Sequence, residues 1–358
     1  MSLPTIPEYS NSIKTPALVL PKVLQGGYPL EKGQRLIKYA GGFCVVFPFQ
    51  TASKKYAVRC WHAEVADAKK RTQLIADAIH DSALQYFVGF KYYQDGIMTP
   101  SGVQPLVVMD WVDAKPLKKF IKEYLNNPCI LNELAQNFLL MVKNMHTHQF
   151  SHGDLQHGNV MVRSDKSIVL VDYDSMYVPA LQNYEDEIKG LVGYQHPARW
   201  NNKYASPKAD YFSELVIFLS IKSLAKYPSL WDELQMEDTE TLLFDADDIQ
   251  SKGKSEIFNK LKRDKDLHHL VETLIDFLQK NTIEDLAPLE NVVISKADNI
   301  ANKWKYGNGH KDSLKKQLNN EANGIGEKWK NGNGFDELQK KAKENLMQNI
   351  SSKFKLSE

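Results

Sequence analysis

The sequence predicts an α+β fold in which a small β-rich unit comes before a larger helical unit. Strand-like runs of β-branched and aromatic residues fill much of residues 35–109, and a single helical stretch interrupts them. After Pro116 the apolar residues recur at helical spacing instead. A chain of 358 residues has room for two core-bearing units and an extension.

The first unit is expected to begin with a segment that has no regular structure. Residues 1–28 contain four prolines and the pair Gly26-Gly27, so we expect an extended strap rather than a helix. The elements predicted after it are, in order, strands over 36–37, 43–47 and 56–61, a helix over 64–80, and strands over 87–93 and 106–109.

The second unit carries the helical patterns. One helix is predicted over 131–148 and another from Ser206-Pro207 to Leu224, where serine can cap the helix and proline fits its first turn. This second helix is apolar on most sides, which predicts that it is the central buried one. Further helices are predicted over 256–261 and 267–278.

The tail, residues 295–358, contains a two-copy repeat with a period of 25 residues. The copies read Lys-Trp-Lys-Tyr-Gly-Asn-Gly and Lys-Trp-Lys-Asn-Gly-Asn-Gly, and two copies are too few for a solenoid core. We expect a helix, a turn and a helix that act as a docking element. Trp304 and Trp329 could also stack on nucleobases or lie at a membrane surface, but a protein contact is favoured because the tail is only mildly basic.

Composition and charge disfavour several other classes of function. A formal net charge of +1 argues against a protein that coats nucleic acid. The longest apolar run, Leu215–Ile221, is far shorter than the roughly 18 residues that a membrane span needs. Three scattered cysteines favour a reducing compartment, and the first residues lack a signal-peptide pattern, so we expect a cytoplasmic protein without membrane contact.

The chemistry is expected in the stretch His152–Asn159 and in the run Val171–Asp174 that follows it. The residues between them read as two short apolar strands joined by a polar turn. This hairpin would bring Asp154, Asn159 and Asp172 together at neighbouring strand ends. Two carboxylates and an amide provide oxygen ligands for Mg²⁺ and a proton acceptor, as phosphoryl transfer requires.

These motifs and the order of elements resemble the eukaryotic-like Ser/Thr protein kinases over about residues 30–294. The catalytic loop HGDLQHGN and the metal loop VDYD are similar to those of a bacterial branch. The resemblance implies a bilobed fold with ATP and Mg between the lobes. It makes Asp154 the catalytic base, Asn159 the second metal ligand and Asp172 the aspartate of the D-F-G motif. The implied divisions are an extended strap over 1–28, an N-lobe over 29–113, a C-lobe over 114–294 and the tail.

The resemblance also implies a nucleotide site between the lobes. Met109 corresponds to the gatekeeper, and the backbones of Asp110 and Val112 are expected to hold adenine. Gly41 and Gly42 lie where the family has its Gly-rich loop, although one glycine of three is kept in register.

Residues 190–197 resemble the end of an activation segment, and Asp172 to Pro197 spans the length of a protein-kinase activation segment. Asp210 corresponds to an aspartate that holds the backbone of the catalytic loop.

Arg59 is the most consequential departure, because the family has a lysine there that contacts phosphates and pairs with a helix glutamate. Arginine keeps the charge but is bulkier and planar. No glutamate stands at the expected depth of the predicted helix, which leaves Gln73 or Asp77 as its partner. Asp174, in the glycine position of D-F-G, is interpreted either as a further acidic group near the metal or as a solvated turn residue.

Three other departures affect regulation and substrate contacts. Gly153 replaces the catalytic-loop arginine, so no receiver for an activation-loop phosphate is predicted. Gln156 replaces the catalytic-loop lysine, and Ala198 replaces a glutamate.

Three functions remain open at this point. The first is an ATP- and Mg-dependent Ser/Thr-type kinase that acts on a protein. The second is a pseudokinase, either a nucleotide-sensing or a purely structural scaffold, whose tail recruits a partner. The third is a small-molecule phosphotransferase, which the long activation segment disfavours.

Overall fold

The computed structural model of the chain describes residues 3–64 and 67–293. Its first part is built on an antiparallel sheet and its second part is mainly helical, so the predicted bilobed α+β fold is confirmed. The strands are β1 (Tyr28–Pro29), β2 (Glu31–Lys32), β3 (Arg35–Leu36), β4 (Tyr39–Ala40), β5 (Cys44–Gln50), β6 (Lys55–Trp61), β7 (Phe90–Thr99), β8 (Gly102–Asp110), β9 (Lys115–Pro116), β10 (Val160–Val162) and β11 (Ile168–Leu170). The helices are α1 (Ile6–Ile13), α2 (Ala68–Ser82), α3 (Leu117–Glu123), α4 (Pro128–Thr147), α5 (Tyr211–Lys226), α6 (Leu230–Glu233), α7 (Ala246–Gln250), α8 (Glu256–Lys262) and α9 (His268–Phe277).

The N-lobe sheet has two faces with different partners. Its strands follow the order β1-β5-β6-β8-β7, and β4 pairs with β5. Arg59 stands opposite Val46 on one side and Val107 on the other, so it lies in the middle of the sheet. Alternation along a strand puts Ala57 on the same face as Arg59. That face joins a core that continues into the C-lobe, whereas the other face forms a second core of its own.

The N-terminal segment is not the extended strap that its prolines predicted. Pro7 falls in the first turn of α1, where a missing amide costs no helical hydrogen bond, and Thr5 and Glu8 form a capping box. The helix packs in the second core, where Tyr9 is fully buried and its hydroxyl donates to the Trp61 carbonyl at 2.8 Å. The prediction was wrong because it treated every proline as a helix breaker regardless of position.

Two helices begin later than predicted. α2 begins at Ala68, because Asp67 before it has a left-handed backbone with φ of +51°. α5 begins at Tyr211, because Ser206 and the residues after it form a turn in which the Ala209 amide donates to the Ser206 carbonyl at 3.1 Å. α5 is buried along nearly its whole length, which confirms it as the central helix.

The C-lobe presents a small sheet of order β11-β10-β9 next to α3. No helix in the described part of the chain is long and apolar enough to span a membrane. The predicted tail over 295–358, with its repeat, lies outside the described residues.

Candidate functional site

The catalytic loop after α4 is fixed to the C-lobe by Asp210. The backbone amides of His152 and Gly153 both donate to the Asp210 carboxylate, and the Gly153 bond is 2.9 Å long. Asp210 is fully buried, and burial raises the pKa of its carboxyl group. The predicted contact between Asp210 and the catalytic-loop backbone is therefore confirmed.

Hydrogen bonds orient both oxygens of the Asp154 carboxylate. The Asn159 amide nitrogen donates to Asp154 Oδ2 at 2.9 Å and to the Asp154 carbonyl at 2.8 Å. The backbone amide of Leu191, in the activation segment, donates to Asp154 Oδ1 at 3.0 Å. Because Asn159 uses its nitrogen toward Asp154, its side-chain oxygen is the group that remains for a metal ion.

Asp172 lies at the same strand ends, as predicted. Val160 pairs with Leu170, and the Val171 amide donates to the Asn159 carbonyl at 3.0 Å. Asp172 has φ of +70°, a left-handed backbone that aspartate tolerates better than most residues. Its side chain is 47% exposed, so the carboxylate is open to a ligand. An amide oxygen and an accessible carboxylate are suitable Mg²⁺ ligands, so these residues fit the metal that the sequence implied.

Arg59 reaches from β6 to the metal loop. Its side chain is 7% exposed, its Nη2 lies 3.2 Å from Asp172 Oδ1, and the same nitrogen contacts Asp174 Oδ2. Burial by itself lowers the pKa of Arg59, but the charge of Asp172 and the contact with Cys44 outweigh it and raise the pKa. The arginine therefore remains charged in a buried position across the cleft from Asp154.

The acidic partner of Arg59 does not come from α2. Gln73 and Asp77, the predicted candidates, lie on the surface, where the Gln73 amide donates to Asp77 Oδ1 at 2.8 Å. Asp174 takes this place, and its side chain is only 16% exposed. Both interpretations of Asp174 from the sequence missed this pairing, because 115 residues separate it from Arg59.

The glycine-containing turn is a short hairpin rather than a long loop. Ala40 pairs with Val45, and the Gly41 amide donates to the Cys44 carbonyl at 2.9 Å. Gly41 and Gly42 are exposed in this turn. A Cβ at Gly42 would meet no atom within 4 Å, so the turn itself does not require this glycine.

The segment that links the lobes leaves backbone groups available. The Asp110 amide donates to the Gly89 carbonyl at 3.1 Å, so its own carbonyl is the group it can offer to a ligand. The Val112 amide donates to no other residue in the described ranges. Met109 is buried and lines a small cavity together with Arg59 and Asp174.

Two apolar residues on the cleft face of the sheet were not singled out from the sequence. Val46 and Ala57 are partly buried and share the face of Arg59. Met161, on β10 of the C-lobe, is partly buried in the same apolar cluster. Ala57 lies two residues before Arg59 on β6, and this two-residue period is the signal in the sequence that could have identified it as a residue of the cleft face.

The activation segment is tied to the catalytic loop by a buried ion pair. Arg199 binds Asp186 through two nitrogens, at 2.9 and 3.0 Å, and also donates to the Gly153 carbonyl and to Gln195. Gly153 has φ of +76°, and a Cβ there would overlap the Ser175 carbonyl, so no arginine fits at this position. No local pattern predicts the pair, because Arg199 and Gly153 are 46 residues apart.

The remaining departures are accommodated locally. The side-chain oxygen of Gln156 accepts a hydrogen bond from the Gly158 amide at 3.2 Å, so this residue stabilises a turn within the catalytic loop. His157 shares a hydrogen bond with the Tyr194 hydroxyl, and burial together with the charge of Lys118 lowers the pKa of His157 to about 4. This histidine is therefore neutral at ordinary pH.

The two-lobed fold and the grouping of Asp154, Asn159 and Asp172 are those of a kinase-type domain. A protein-family model described as the protein kinase domain matches residues 40–286, which is more than half of the chain. The chain therefore belongs to the protein kinase family. A search of curated proteins gave no match.

Proposed function

We propose that the chain is an ATP- and Mg-dependent phosphotransferase that acts on Ser or Thr hydroxyls of a protein. The observation that carries this proposal is the joint placement of Asp154, Asn159 and Asp172, with the buried charge of Arg59 across the cleft from them. A vestigial domain has no chemical need to keep these groups aligned.

Each group has a chemical role in this proposal. Asp154 accepts or orients the hydroxyl proton of the substrate, because Leu191 and Asn159 hold its carboxylate in place. The Asn159 side-chain oxygen and the Asp172 carboxylate would hold Mg²⁺, which neutralises phosphate charge when bound. Arg59 binds a phosphate oxygen, for which its planar group offers more than one donor.

The adenine ring is proposed to lie between Val46 and Ala57 of the N-lobe and Met161 of the C-lobe. All three side chains are partly buried and apolar. The Asp110 carbonyl and the Val112 amide provide an acceptor and a donor for the ring edge. This arrangement gives the cleft an apolar interior with a few polar groups, as small-molecule sites usually have.

A protein substrate is favoured over a small molecule by the surface beside Asp154. The activation segment contributes the Leu191 amide directly to Asp154 and exposes Val192 next to it. Trp200 and Tyr204, which follow this segment, are also exposed. Exposed apolar side chains close to a reacting group suit an extended peptide better than a small polar acceptor.

Transfer of radiolabel from [γ-³²P]ATP to the chain itself and to a generic protein tests the proposal. With Mg²⁺, the wild type should incorporate label, and Asp154→Ala should lose at least about a hundredfold of the rate, since general base catalysis contributes about 10²–10⁴-fold. Asp95→Ala, an exposed aspartate on β7, is the matched control and should retain the rate. Equal incorporation by wild type and Asp154→Ala would rule out the proposed chemistry.

A pseudokinase that binds partners is the second candidate. It is favoured by the short glycine turn and by Arg59 in the lysine position. In this case the chain would bind its partner with or without nucleotide but would not turn ATP over, and the tail over 295–358 would recruit the partner. The absence of a thermal shift with ATP and Mg²⁺ would support this candidate. A magnesium-dependent rise in melting temperature together with turnover would exclude this candidate.

A further inference from the structure

We propose that Asp174 is a positioning residue for Arg59, so that the metal loop and not helix α2 completes the phosphate site. This inference rests on the proposed nucleotide site. It assigns to Asp174 the role of acidic partner of Arg59, for which the sequence shows no glutamate at the expected depth of the predicted helix. Arg59 is 6% exposed and therefore needs a fixed acidic partner, because an unpaired buried charge is strongly unfavourable. Asp174 provides that partner through a direct contact with Nη2.

Helix α2 offers no acidic group at this position. Among its residues, those that line the small cavity beside Arg59 and Asp174 are Ala68, Arg71, Thr72 and Ile75. The Thr72 hydroxyl donates within the helix to the Ala68 carbonyl at 2.6 Å. Arg71 is itself a cation, and its Nη1 donates to the Glu185 carbonyl of the activation segment at 3.3 Å. The pairing of Arg59 is thus independent of the acidic residues on this helix.

Arg59 also retains a donor that a nucleotide could use. Its Nε is buried and has no hydrogen-bond partner among the described residues. Buried donors are almost always paired, so this unpaired nitrogen leaves the guanidinium with hydrogen-bonding capacity beyond its two aspartates. Asp174 holds Nη2, so the other guanidinium nitrogens are the ones that remain for a phosphate oxygen.

The position of Asp174 couples the ion pair to the metal. Asp172 and Asp174 lie two residues apart in one loop, and Nη2 of Arg59 contacts both. Without the Asp174 charge, Arg59 would be neutralised by Asp172 alone. The arginine would then compete with Mg²⁺ for the Asp172 carboxylate, so loss of Asp174 should raise the magnesium concentration required.

Magnesium titrations of ATP binding and of transfer test this role on the full chain. Asp174→Asn keeps the shape and removes the charge. It should raise the Mg²⁺ concentration needed for half-maximal ATP binding by about tenfold or more, as expected when a buried charge loses its partner. Asp77→Asn, which neutralises the surface aspartate of α2, should change this concentration by less than about twofold.

Two further variants separate positioning from folding. Asp174→Glu retains the charge, so it should keep part of the magnesium affinity. This variant still reports on the charge if Asp174→Asn folds poorly. Arg59→Gln combined with Asp174→Asn should need no more Mg²⁺ for half-maximal ATP binding than Arg59→Gln alone, because Asp174 acts only through Arg59.

The proposal is contradicted if Asp174→Asn needs the same Mg²⁺ concentration for half-maximal ATP binding as the wild type, or if Asp77→Asn raises this concentration instead. It is also contradicted if the wild type binds no ATP. A wild type that binds ATP without transferring phosphate would refute the proposed activity alone, since the binding titration would still report on Asp174.

Discussion

The charged residues of this domain fall into two groups, those at the cleft that are proposed to act in the chemistry and those that stabilise the C-lobe. His146 belongs to the second group and lies between two carboxylates. Its Nε2 is 2.9 Å from Glu214 Oε1, and its Nδ1 is 2.9 Å from Glu290 Oε2. Burial by itself lowers the pKa of His146, but Glu214 and Glu290 outweigh it and raise the pKa to about 9. The folded chain thus holds this proton more tightly than the unfolded chain.

Stability should fall between pH 6.5 and pH 9 because of His146. The stabilisation is fully present below the unfolded pKa of about 6.5 and is lost as the pH rises through the folded value. The free energy of unfolding should decrease by up to about 3 kcal/mol, at about 1.4 kcal/mol per unit of pKa shift. Urea unfolding at both pH values measures this decrease. The double variant His146→Gln, Glu214→Gln should lack most of it, because burial raises the pKa of the Glu214 carboxyl to about 7 and Glu214 would otherwise titrate in the same range.

His148→Gln is the matched control, because its ring bonds to the Asn144 carbonyl and to no carboxylate among the described residues. It should keep the pH dependence of the wild type. The same decrease in the double variant His146→Gln, Glu214→Gln as in the wild type would contradict the assignment.

Which site residues lie close together could be predicted only where they are near one another in the sequence. Asp154, Asn159 and Asp172 lie within one hairpin unit, so their sequence separation fixes their proximity. Asp174 and Arg59 are brought together by the packing of two lobes, which no pattern along the chain encodes. Gln73 and Asp77 of α2, the predicted partners of Arg59, instead bind each other.

Among the elements, the activation segment shows how a missing arginine is compensated. Arg199 and Asp186 form a buried bidentate pair, and Lys189 donates to the Arg199 carbonyl at 3.2 Å and to the Asn202 carbonyl at 2.6 Å. The segment is thus held next to Gly153 by charges that the chain already carries. The sequence-based prediction that the chain lacks a receiver for an activation-loop phosphate stays a prediction, because these contacts hold the segment without testing it.

Asp186→Asn should loosen the activation segment. The change leaves the Arg199 guanidinium buried without its counter-charge, which costs about 3–5 kcal/mol in comparable cases. Hydrogen exchange should become faster at the amides of residues 184–197, and transfer activity should fall with it. Lys203→Ala removes the exposed pair with Glu185, at 3.6 Å, and should change exchange little. Unchanged protection in Asp186→Asn would contradict this account of the segment.

Helices with a long apolar periodicity were predicted well. Helices whose existence or first residue depends on one or two capping residues were predicted poorly. α4 and α5 have sustained apolar patterns, and both were expected within a few residues of their observed bounds. α1 was missed because Thr5 and Glu8 cap a helix whose Pro7 is compatible with its first turn. The capping residues Thr5 and Glu8 are visible in the sequence, and in the structure they outweigh the prolines that predicted an extended strap.

For the whole molecule, the order of the two lobes could be predicted from the sequence. The contacts that join the lobes, a shared apolar core and the ion pairs of Arg59, could not. The cleft face of the N-lobe sheet shares a core with the C-lobe, and the N-terminal segment fills the core on the outer face. Arg59 links the two lobes electrostatically through Asp172 and Asp174. Our central claim is that this link and the Asp154 loop together form a working nucleotide site.

The structure of the full chain with a non-hydrolysable ATP analogue and Mg²⁺ tests that claim most directly. We predict a metal ion bound by the Asn159 side-chain oxygen and the Asp172 carboxylate, with Arg59 contacting a phosphate while it keeps Asp174 as its partner. Asp154 should face the terminal phosphate. A cleft without nucleotide at saturating analogue, or a nucleotide bound while Arg59 turns away from the phosphates, would contradict the claim.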